Sequence, residues 1–280
     1  MKQVSTKTIT EAVREMAISA SYELGEDVVK ALEAAKKVEE SPVGLGILEQ
    51  ITKNAEIALA EKSPMCQDTG LAVFMIELGQ EVQIVDGDFT EAINEGVRLG
   101  YEEGYLRKSV LGDPLERKNT GDNTPAMITI DLVPGDKLKI TMAAKGGGSE
   151  NMSEVKMLKP SDGVNGVKEF VVDRVVRSGG NPCPPVIIGV GIGGTFDKCA
   201  LLAKKSLMRD VGDRHPNKFY ADLELELLGR INKTGVGPQG LGGTTTALDV
   251  HIEVAPCHIA SLPVAVNTQC HAARHKSVTL

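Results

Sequence analysis

Apolar residues recur at helical spacing through the first 62 positions of the chain. The first helix is predicted to follow a capping sequence at residues 8–11 and to end before Gly25. Its apolar face carries Ile9, Val13, Met16, Ala17, Ala20 and Leu24. Similar spacing predicts a second helix around residues 28–35 and a third over residues 43–62. We therefore expect a helical subregion over residues 1–62.

Short apolar runs, separated by glycine and proline, replace this periodicity in the rest of the chain. They predict strands over residues 71–78, 82–86, 127–133, 138–144, 184–194, 248–254 and 259–266. A helix is predicted over residues 90–106, and three later helices are predicted: one that contains Val167 and Val175, one that contains Leu202, and one that follows Phe219. Residues 145–153 are predicted to form a loop. The order indicates a mixed α/β (α+β) fold, in which a helical N-terminal part joins a body of mixed β-sheet flanked by helices, with glycine-rich loops at strand ends. Since no long linker interrupts the chain, we expect one domain over residues 1–280, with the α/β body at 63–280.

Composition and charge restrict the classes of function. The chain has 280 residues, of which 41% are hydrophobic and 25% charged, as is typical of a globular protein. A net charge of −7 and the absence of tryptophan argue against a nucleic-acid backbone as ligand and against base stacking. The N-terminus lacks the apolar core of a signal peptide, and no apolar run is long enough to span a membrane. We therefore expect a cytoplasmic protein. The net charge is compatible with a small anionic ligand, because such a ligand needs only a few cations in one cleft.

Three glycine clusters are candidate ligand-binding loops, at residues 145–150, 189–194 and 237–243. Ordinary turns are the alternative for each of them. The middle cluster, from Gly189 to Gly194, fits the G-x-G-x-x-G spacing of dinucleotide-binding folds and is predicted to follow a strand. Such a site also needs an acidic residue after a second strand, but no apolar strand precedes Asp210 or Asp213. A nucleotide-binding oxidoreductase is therefore a second hypothesis.

The five cysteines divide into loop positions and a core position. Cys66, Cys183 and Cys270 are predicted to lie in loops at the ends of elements, and Cys183 is flanked by prolines. Cys199 falls at helical spacing with Leu202 and is predicted to be core, whereas the pattern does not decide Cys257. If the three loop thiols converged, they could hold an iron–sulfur cluster with one iron open to a hydroxy acid. Buried cysteines without a metal are the alternative, and the chain would then be a scaffold subunit.

Several polar residues near these cysteines are candidates for proton transfer and substrate binding. Asp68 lies two residues after Cys66, and it could donate or accept a proton or simply form a turn. His258 is a second acid–base candidate, with a structural histidine at a strand end as the alternative. Arg107, beyond a predicted helix, could bind a carboxylate or face solvent.

Seven motifs in order resemble those of one enzyme family. They are SPMCQDTG, NTGDNTPA, KGGGSENMS, GGNPCPP, GVGIGGTFDKC, GLGGTTTAL and PVAVNTQCHAAR. Together they are similar to the alpha subunit of class I, iron–sulfur-dependent fumarate hydratase, to which the alpha subunit of L-tartrate dehydratase is closely related. The resemblance implies a hydro-lyase with a [4Fe–4S] cluster on Cys66, Cys183 and Cys270, whose open iron binds the hydroxyl and one carboxylate of malate.

The same resemblance assigns further roles and a partner. It implies that Gln67, Arg107, Gly147 and Gly148 line the substrate site and that Asp68 and His258 are catalytic. The chain stops ten residues after Cys270, where single-chain members continue into a second domain. We therefore expect a separate beta subunit, a heteromer with two copies of each subunit, and an active site shared between them. The expected reaction is the hydration of fumarate to (S)-malate, or the dehydration of tartrate to oxaloacetate.

Overall fold

Ten strands and eight α-helices are present in the computed structural model, which describes all residues from 1 to 280. The strands are β1 (Lys2–Ser5), β2 (Leu71–Gly79), β3 (Val82–Val85), β4 (Met127–Val133), β5 (Leu138–Lys145), β6 (Glu154–Leu158), β7 (Val186–Gly193), β8 (Ala247–Ala255), β9 (Leu262–Gln269) and β10 (His275–Thr279). The helices are α1 (Thr6–Tyr22), α2 (Glu26–Val38), α3 (Pro42–Glu61), α4 (Phe89–Glu103), α5 (Gly147–Glu150), α6 (Gly163–Ser178), α7 (Phe196–Ser206) and α8 (Lys218–Asn232). The predicted mixed α/β class is confirmed. None of the helices combines the length and apolar character that crossing a bilayer requires.

The chain divides into two compact units, which we describe separately. Unit 1 comprises residues 1–25, 54–147 and 274–280, and unit 2 comprises residues 26–53 and 148–273. Residues 1–62 contain β1 and the helices α1, α2 and α3, and they are divided between the two units. The helical subregion expected over residues 1–62 and the α/β body expected over 63–280 stay predictions. The single domain expected over residues 1–280 stays a prediction.

Unit 1 is built on a four-stranded sheet in the order β10-β5-β2-β4. The β10–β5 and β5–β2 pairs are antiparallel, and β2 pairs with β4 in parallel. Helices α1 and α4 pack together against it and supply the apolar side chains of one core. Ser5 caps the N-terminus of α1, because its hydroxyl accepts the Thr8 N–H, and Asp88 caps α4 in the same way through the Glu91 N–H. The helix starts predicted at Thr8 and Thr90 are therefore corrected to positions nearer the N-terminus.

Unit 2 repeats the same order of pairings in its own sheet, β6-β9-β7-β8. Two antiparallel pairs are followed by one parallel pair, β7–β8. Helices α6 and α8 bury their apolar faces together with Ile188 and Val190 of β7. Side chains alternate along a strand, so Gly189 and Gly191 face the other side, where α7 packs.

The glycines of the G-x-G-x-x-G segment serve this packing. Gly189 and Gly191 lie within β7, not in a loop after it. A Cβ on Gly191 would lie 2.0 Å from the Cys199 carbonyl oxygen, and one on Gly189 would lie 2.1 Å from that of Ala203. No strand leads to Asp210 or Asp213, since residues 207–217 contain neither helix nor strand. The two structural features that the nucleotide-binding hypothesis requires are thus missing.

We expect Gly191→Ala to destabilise the chain strongly. Its methyl group would meet main-chain atoms of α7, so the helix must move off the sheet, at a cost of about 3 kcal/mol. Gly229→Ala in α8 is the matched control, since a Cβ there has open space and alanine favours a helix by about 0.5–1 kcal/mol. Urea unfolding of both variants measures the difference. Equal stability of the two would contradict this account of the motif.

Four elements differ from the sequence predictions. Strands β1, β6 and β10 were not predicted, and α5 occupies the segment predicted as the loop 145–153. These three strands have four or five residues each, and β1 and β10 each contain a single apolar residue. They form through pairing with distant segments, as β10 does with β5. Short strands of this kind carry a weak periodic signal because pairing, more than local preference, stabilises them.

Candidate functional site

Cys66, Gln67 and Asp68 lie in the loop between α3 and β2, in unit 1. Hydrogen bonds to the backbone N–H and carbonyl groups of Met65, the residue before Cys66, fix the start of the loop. The Met65 N–H donates to the Ser21 carbonyl oxygen (3.0 Å), and Asn54 Nδ2 donates to the Met65 carbonyl oxygen (2.7 Å). Cys66 and Asp68 are half-buried and Gln67 is exposed. The loop therefore presents a thiol, an amide and a carboxyl group from a fixed backbone.

The Asp68 carboxylate is held by two backbone N–H groups. Gly70 donates to Oδ1 (3.0 Å), which is the turn contact that was the alternative interpretation of this residue. Gly147, the first residue of α5, donates to Oδ2 (2.8 Å). Arg274 Nη1 donates to the Asp68 carbonyl oxygen (2.8 Å). Both carboxylate oxygens are thus oriented, and each keeps a further lone pair for a proton or a ligand.

Arg107 reaches the same loop from the end of α4. Its Nη1 donates to Gln67 Oε1 (2.7 Å), and its carbonyl oxygen accepts from the Thr69 hydroxyl (3.1 Å). The guanidinium group is exposed, so its remaining N–H groups can bind an anion. The structure therefore brings together Gln67, Asp68, Arg107 and Gly147, which were predicted as site residues from three separate segments of the chain.

Three supporting residues of unit 1 were not predicted. The Tyr101 hydroxyl shares its single proton between the carbonyl oxygens of Thr69 (3.1 Å) and Gly70 (3.0 Å), and burial raises the pKa of this phenol. Asn123 Nδ2 donates to the Gly70 carbonyl oxygen (3.3 Å). The Arg274 side chain is 3% exposed, and its Nε has no hydrogen-bond partner. A tyrosine at helical spacing is predicted to be a core residue, so the pattern gave no sign of the contacts of Tyr101. The only sequence signals for the other two supporting residues were the polar positions of NTGDNTPA, which contains Asn123, and of CHAAR, which contains Arg274.

Cys183 and Cys270 lie at one end of the sheet of unit 2. Cys183 precedes β7 and Cys270 follows β9, and the antiparallel register pairs Ile187 with Gln269. His271, the residue after Cys270, places Nδ1 2.9 Å from the Cys183 carbonyl oxygen. Cys183 is exposed and Cys270 is half-buried. These two cysteine loops, far apart in sequence, are therefore in direct contact.

The two other cysteines have different environments. Cys199 is buried, as predicted, and its thiol donates to the Phe196 carbonyl oxygen (3.3 Å). Burial raises the pKa of this thiol, which disfavours the thiolate that binds metals. Cys257 lies in an exposed turn, with its Sγ 3.4 Å from the Ser261 carbonyl oxygen. None of the five cysteines forms a disulfide.

His258 and Gly148 complete the predicted set in unit 2. His258 is exposed in the turn between β8 and β9, where its Nδ1 accepts the Ala260 N–H (3.1 Å). Strand β9 has eight residues and separates this turn from Cys270 by roughly 25 Å. Gly148 is exposed in α5, where a Cβ would approach the Asn181 carbonyl oxygen to 3.4 Å. Within unit 2, the structure does not bring His258 to the end of the sheet that carries the cysteines.

Sequence similarity to known proteins extends over nearly the whole chain. Residues 10–279 match the protein family described as Fumarate hydratase (Fumerase). A Methanocaldococcus jannaschii protein with the provisional name L(+)-tartrate dehydratase subunit alpha is 45% identical over 272 residues, 95% of this chain and 95% of that protein. The L(+)-tartrate dehydratase subunits alpha of Escherichia coli strains UTI89 and K12 are 35% and 34% identical over 277 residues, 98% of this chain and 91% of each relative.

Proposed function

The chain belongs to the fumarate hydratase (fumerase) family and is the alpha subunit of a hydro-lyase, and from this premise we propose that it interconverts fumarate and (S)-malate. The family match over residues 10–279 carries the proposal. The arrangement of unit 1 supports it, because an oriented carboxylate, an exposed guanidinium and an amide suit a small dicarboxylate substrate.

The proposed cofactor is a [4Fe–4S] cluster with Cys66, Cys183 and Cys270 as ligands. The donor chemistry fits, since all three thiols lie in loops outside the apolar cores and two of the loops are in direct contact. Cys199 does not fit because its thiol is buried within the packing of α7. When bound, the cluster supplies an iron with an open position, which acts as a Lewis acid toward the substrate hydroxyl.

The remaining proposed roles belong to side chains of unit 1. Arg107 binds a substrate carboxylate, and Gln67 orients that guanidinium through the 2.7 Å contact. Asp68 holds or transfers a proton at a carboxylate oxygen as water is added or removed. The exposed glycines Gly147 and Gly148 let the substrate approach the backbone, and the Gly147 N–H orients Asp68 at the same time.

The proposed catalytic role of His258 requires that the imidazole reach the cysteine end of the sheet, from which its own turn is distant. Because β9 separates His258 from Cys270 by roughly 25 Å, the imidazole acts at the site only if it reaches it from another copy of the chain. Its exposed position in the β8–β9 turn makes such a contact sterically possible.

A beta subunit is the proposed partner, because the relatives are named as alpha subunits. We propose that two alpha and two beta chains assemble and that the beta subunit supplies further groups to the active site. A reducing compartment, the cytoplasm, suits a protein whose proposed ligands are thiolates.

Dehydration of L(+)-tartrate to oxaloacetate is the second candidate function. The names of three relatives that match over at least 95% of this chain favour it. Malate and tartrate are both hydroxy diacids and differ by one hydroxyl group. The same carboxylate-binding and proton-transfer residues would therefore serve either substrate.

Co-expression of the chain with a beta subunit tests the proposal. The complex, purified without oxygen, should be brown, contain iron, and convert malate or tartrate, with activity falling on exposure to air. The ratio of kcat/KM for the two substrates decides between the candidate functions. A colourless complex without iron that NAD stabilises would contradict the proposal and favour the nucleotide-binding hypothesis.

A further inference from the structure

The third glycine cluster, residues 237–243, has no role in the proposed reaction, and it packs against the Cys183 loop. Gln239 donates twice to the Pro184 carbonyl oxygen, from its backbone N–H (2.8 Å) and from Nε2 (2.9 Å). A Cβ on Gly180 would lie 2.7 Å from the Gln239 carbonyl oxygen, and one on Gly240 would lie 2.5 Å from Gly180 Cα. The two loops are therefore in backbone contact.

Both residues at the centre of this contact have an uncommon backbone conformation. Cys183 has a φ of 56° and Gln239 a φ of 53°, in the left-handed region that favours glycine. Such conformations persist where the surrounding structure over-determines them. Here the determinants are the two donors of Gln239 on Pro184 and the Cys183 N–H, which donates to the Gly180 carbonyl oxygen (3.0 Å).

His271 extends the contact to the second cysteine. Its Nδ1 lies 2.9 Å from the Cys183 carbonyl oxygen, and its backbone nitrogen lies 3.5 Å from the same atom. Because a carbonyl oxygen only accepts, Nδ1 carries the proton and donates it. Gln239 Nε2 lies 3.4 Å from this ring nitrogen, so the amide packs beside it. The imidazole thus links the residue next to Cys270 directly to Cys183.

Glu39 anchors the far end of the loop. Its carboxylate accepts from the backbone N–H groups of Thr244 (2.9 Å), Thr245 (2.8 Å) and Ser41 (2.9 Å). Burial opposes ionisation, but these N–H groups hold the pKa of Glu39 below its usual range. The glycine loop is therefore fixed both at Gln239 and beyond Gly243.

We propose that Gln239 and His271 are positioning residues that set the separation and direction of the Cys183 and Cys270 thiols and so hold the cluster in place. The inference rests on the proposed function, because it assumes that both cysteines bind the cluster. Its physical basis is preorganisation. Ligands that are fixed before binding lose less conformational entropy when the metal binds, and the bound metal dissociates from them more slowly. The glycine loop thus acts as a support for a ligand loop.

Replacement of His271 by two amides tests the link to Cys183. In His271→Asn the amide nitrogen can occupy the place of Nδ1, whereas in His271→Gln it lies near the place of Nε2. In the anaerobic alpha–beta complex, we expect His271→Gln to lose its visible cluster absorbance about 10–100-fold faster than wild type under an iron chelator. His271→Asn should retain a rate close to wild type.

Gln239→Gly tests the role of the Gln239 side chain in holding the Cys183 loop. Glycine accepts the positive φ at this position, and the substitution removes only the side-chain donor to Pro184. We expect it too to accelerate cluster loss, without lowering the thermal stability of the cluster-free protein. If His271→Gln and Gln239→Gly release iron at the wild-type rate, or if His271→Asn is as fast as His271→Gln, the inference is wrong. A wild-type complex without iron would instead overturn the proposed function.

Discussion

Cys183→Ser should give a folded alpha subunit that contains almost no iron. A serine hydroxyl is a far weaker ligand for iron than a thiolate, and two remaining thiolates do not hold the cluster. The side chain is exposed, so the fold loses little; a surface change of this kind alters stability by about 0.5 kcal/mol or less. Iron per alpha chain and visible absorbance, measured after anaerobic purification with the beta subunit, give the result.

Cys257→Ser provides the matched control. This thiol is also exposed and lies in a loop, but it is outside the proposed ligand set. The variant should retain the iron content and activity of wild type. Normal iron in Cys183→Ser, or equal loss of iron in both variants, would show that the ligand set is wrong. Circular dichroism of the two proteins separates loss of the cluster from loss of the fold.

Buried strands could be predicted from the sequence because burial on both faces leaves a continuous apolar run. Strands β2, β5 and β7 are central in their sheets, and the predicted positions agree with the observed ones to within two residues. Edge strand β10 begins with the polar residues His275, Lys276 and Ser277, so it lacks a continuous apolar run. It pairs with β5, which lies about 130 residues earlier in the chain. Such a strand is stabilised by a partner that local sequence does not reveal.

Residue chemistry, together with the family resemblance that implies Gln67, identified candidate site residues better than it identified their supports. Gln67 and Arg107 were predicted separately, and their 2.7 Å contact follows only from the path of the chain after α4. Tyr101 falls at helical spacing, so its pattern predicts a core residue. The pattern does not reveal the bifurcated hydrogen bond that its hydroxyl donates to the carbonyl oxygens of Thr69 and Gly70. Arg274 shows no spacing signal at all, although its side chain is buried.

Glycine spacing was the least specific signal. Gly191 fits a dinucleotide fingerprint because both that fingerprint and close helix–sheet packing need a residue without a Cβ. The same ambiguity applies to residues 237–243, where the glycines allow contact with a neighbouring loop. A glycine pattern therefore shows where backbones approach closely, whereas the approaching group is known only from the fold.

Asp68→Asn should retain the iron but lower kcat by about 10²–10⁴-fold, the usual contribution of a general acid or base. An amide keeps the size of the carboxyl group and cannot hold the transferred proton. Its oxygen can still accept from the Gly70 N–H, but its NH₂ group cannot accept from Gly147, so one of the two orienting contacts is lost. Rates with malate and tartrate, together with iron content, measure the effect.

Asp113→Asn separates this chemical loss from a loss of local structure. Asp113 Oδ1 also accepts two backbone N–H groups, from Leu115 (2.8 Å) and Glu116 (2.7 Å), in an exposed turn of the same unit. The change is identical, but the residue is outside the proposed site, so kcat should stay at the wild-type value. If Asp68→Asn also retained the wild-type kcat, Asp68 would have no part in proton transfer. If it lost iron as well as activity, its carboxylate would instead support the loop that carries Cys66, because the two residues share one fixed backbone segment.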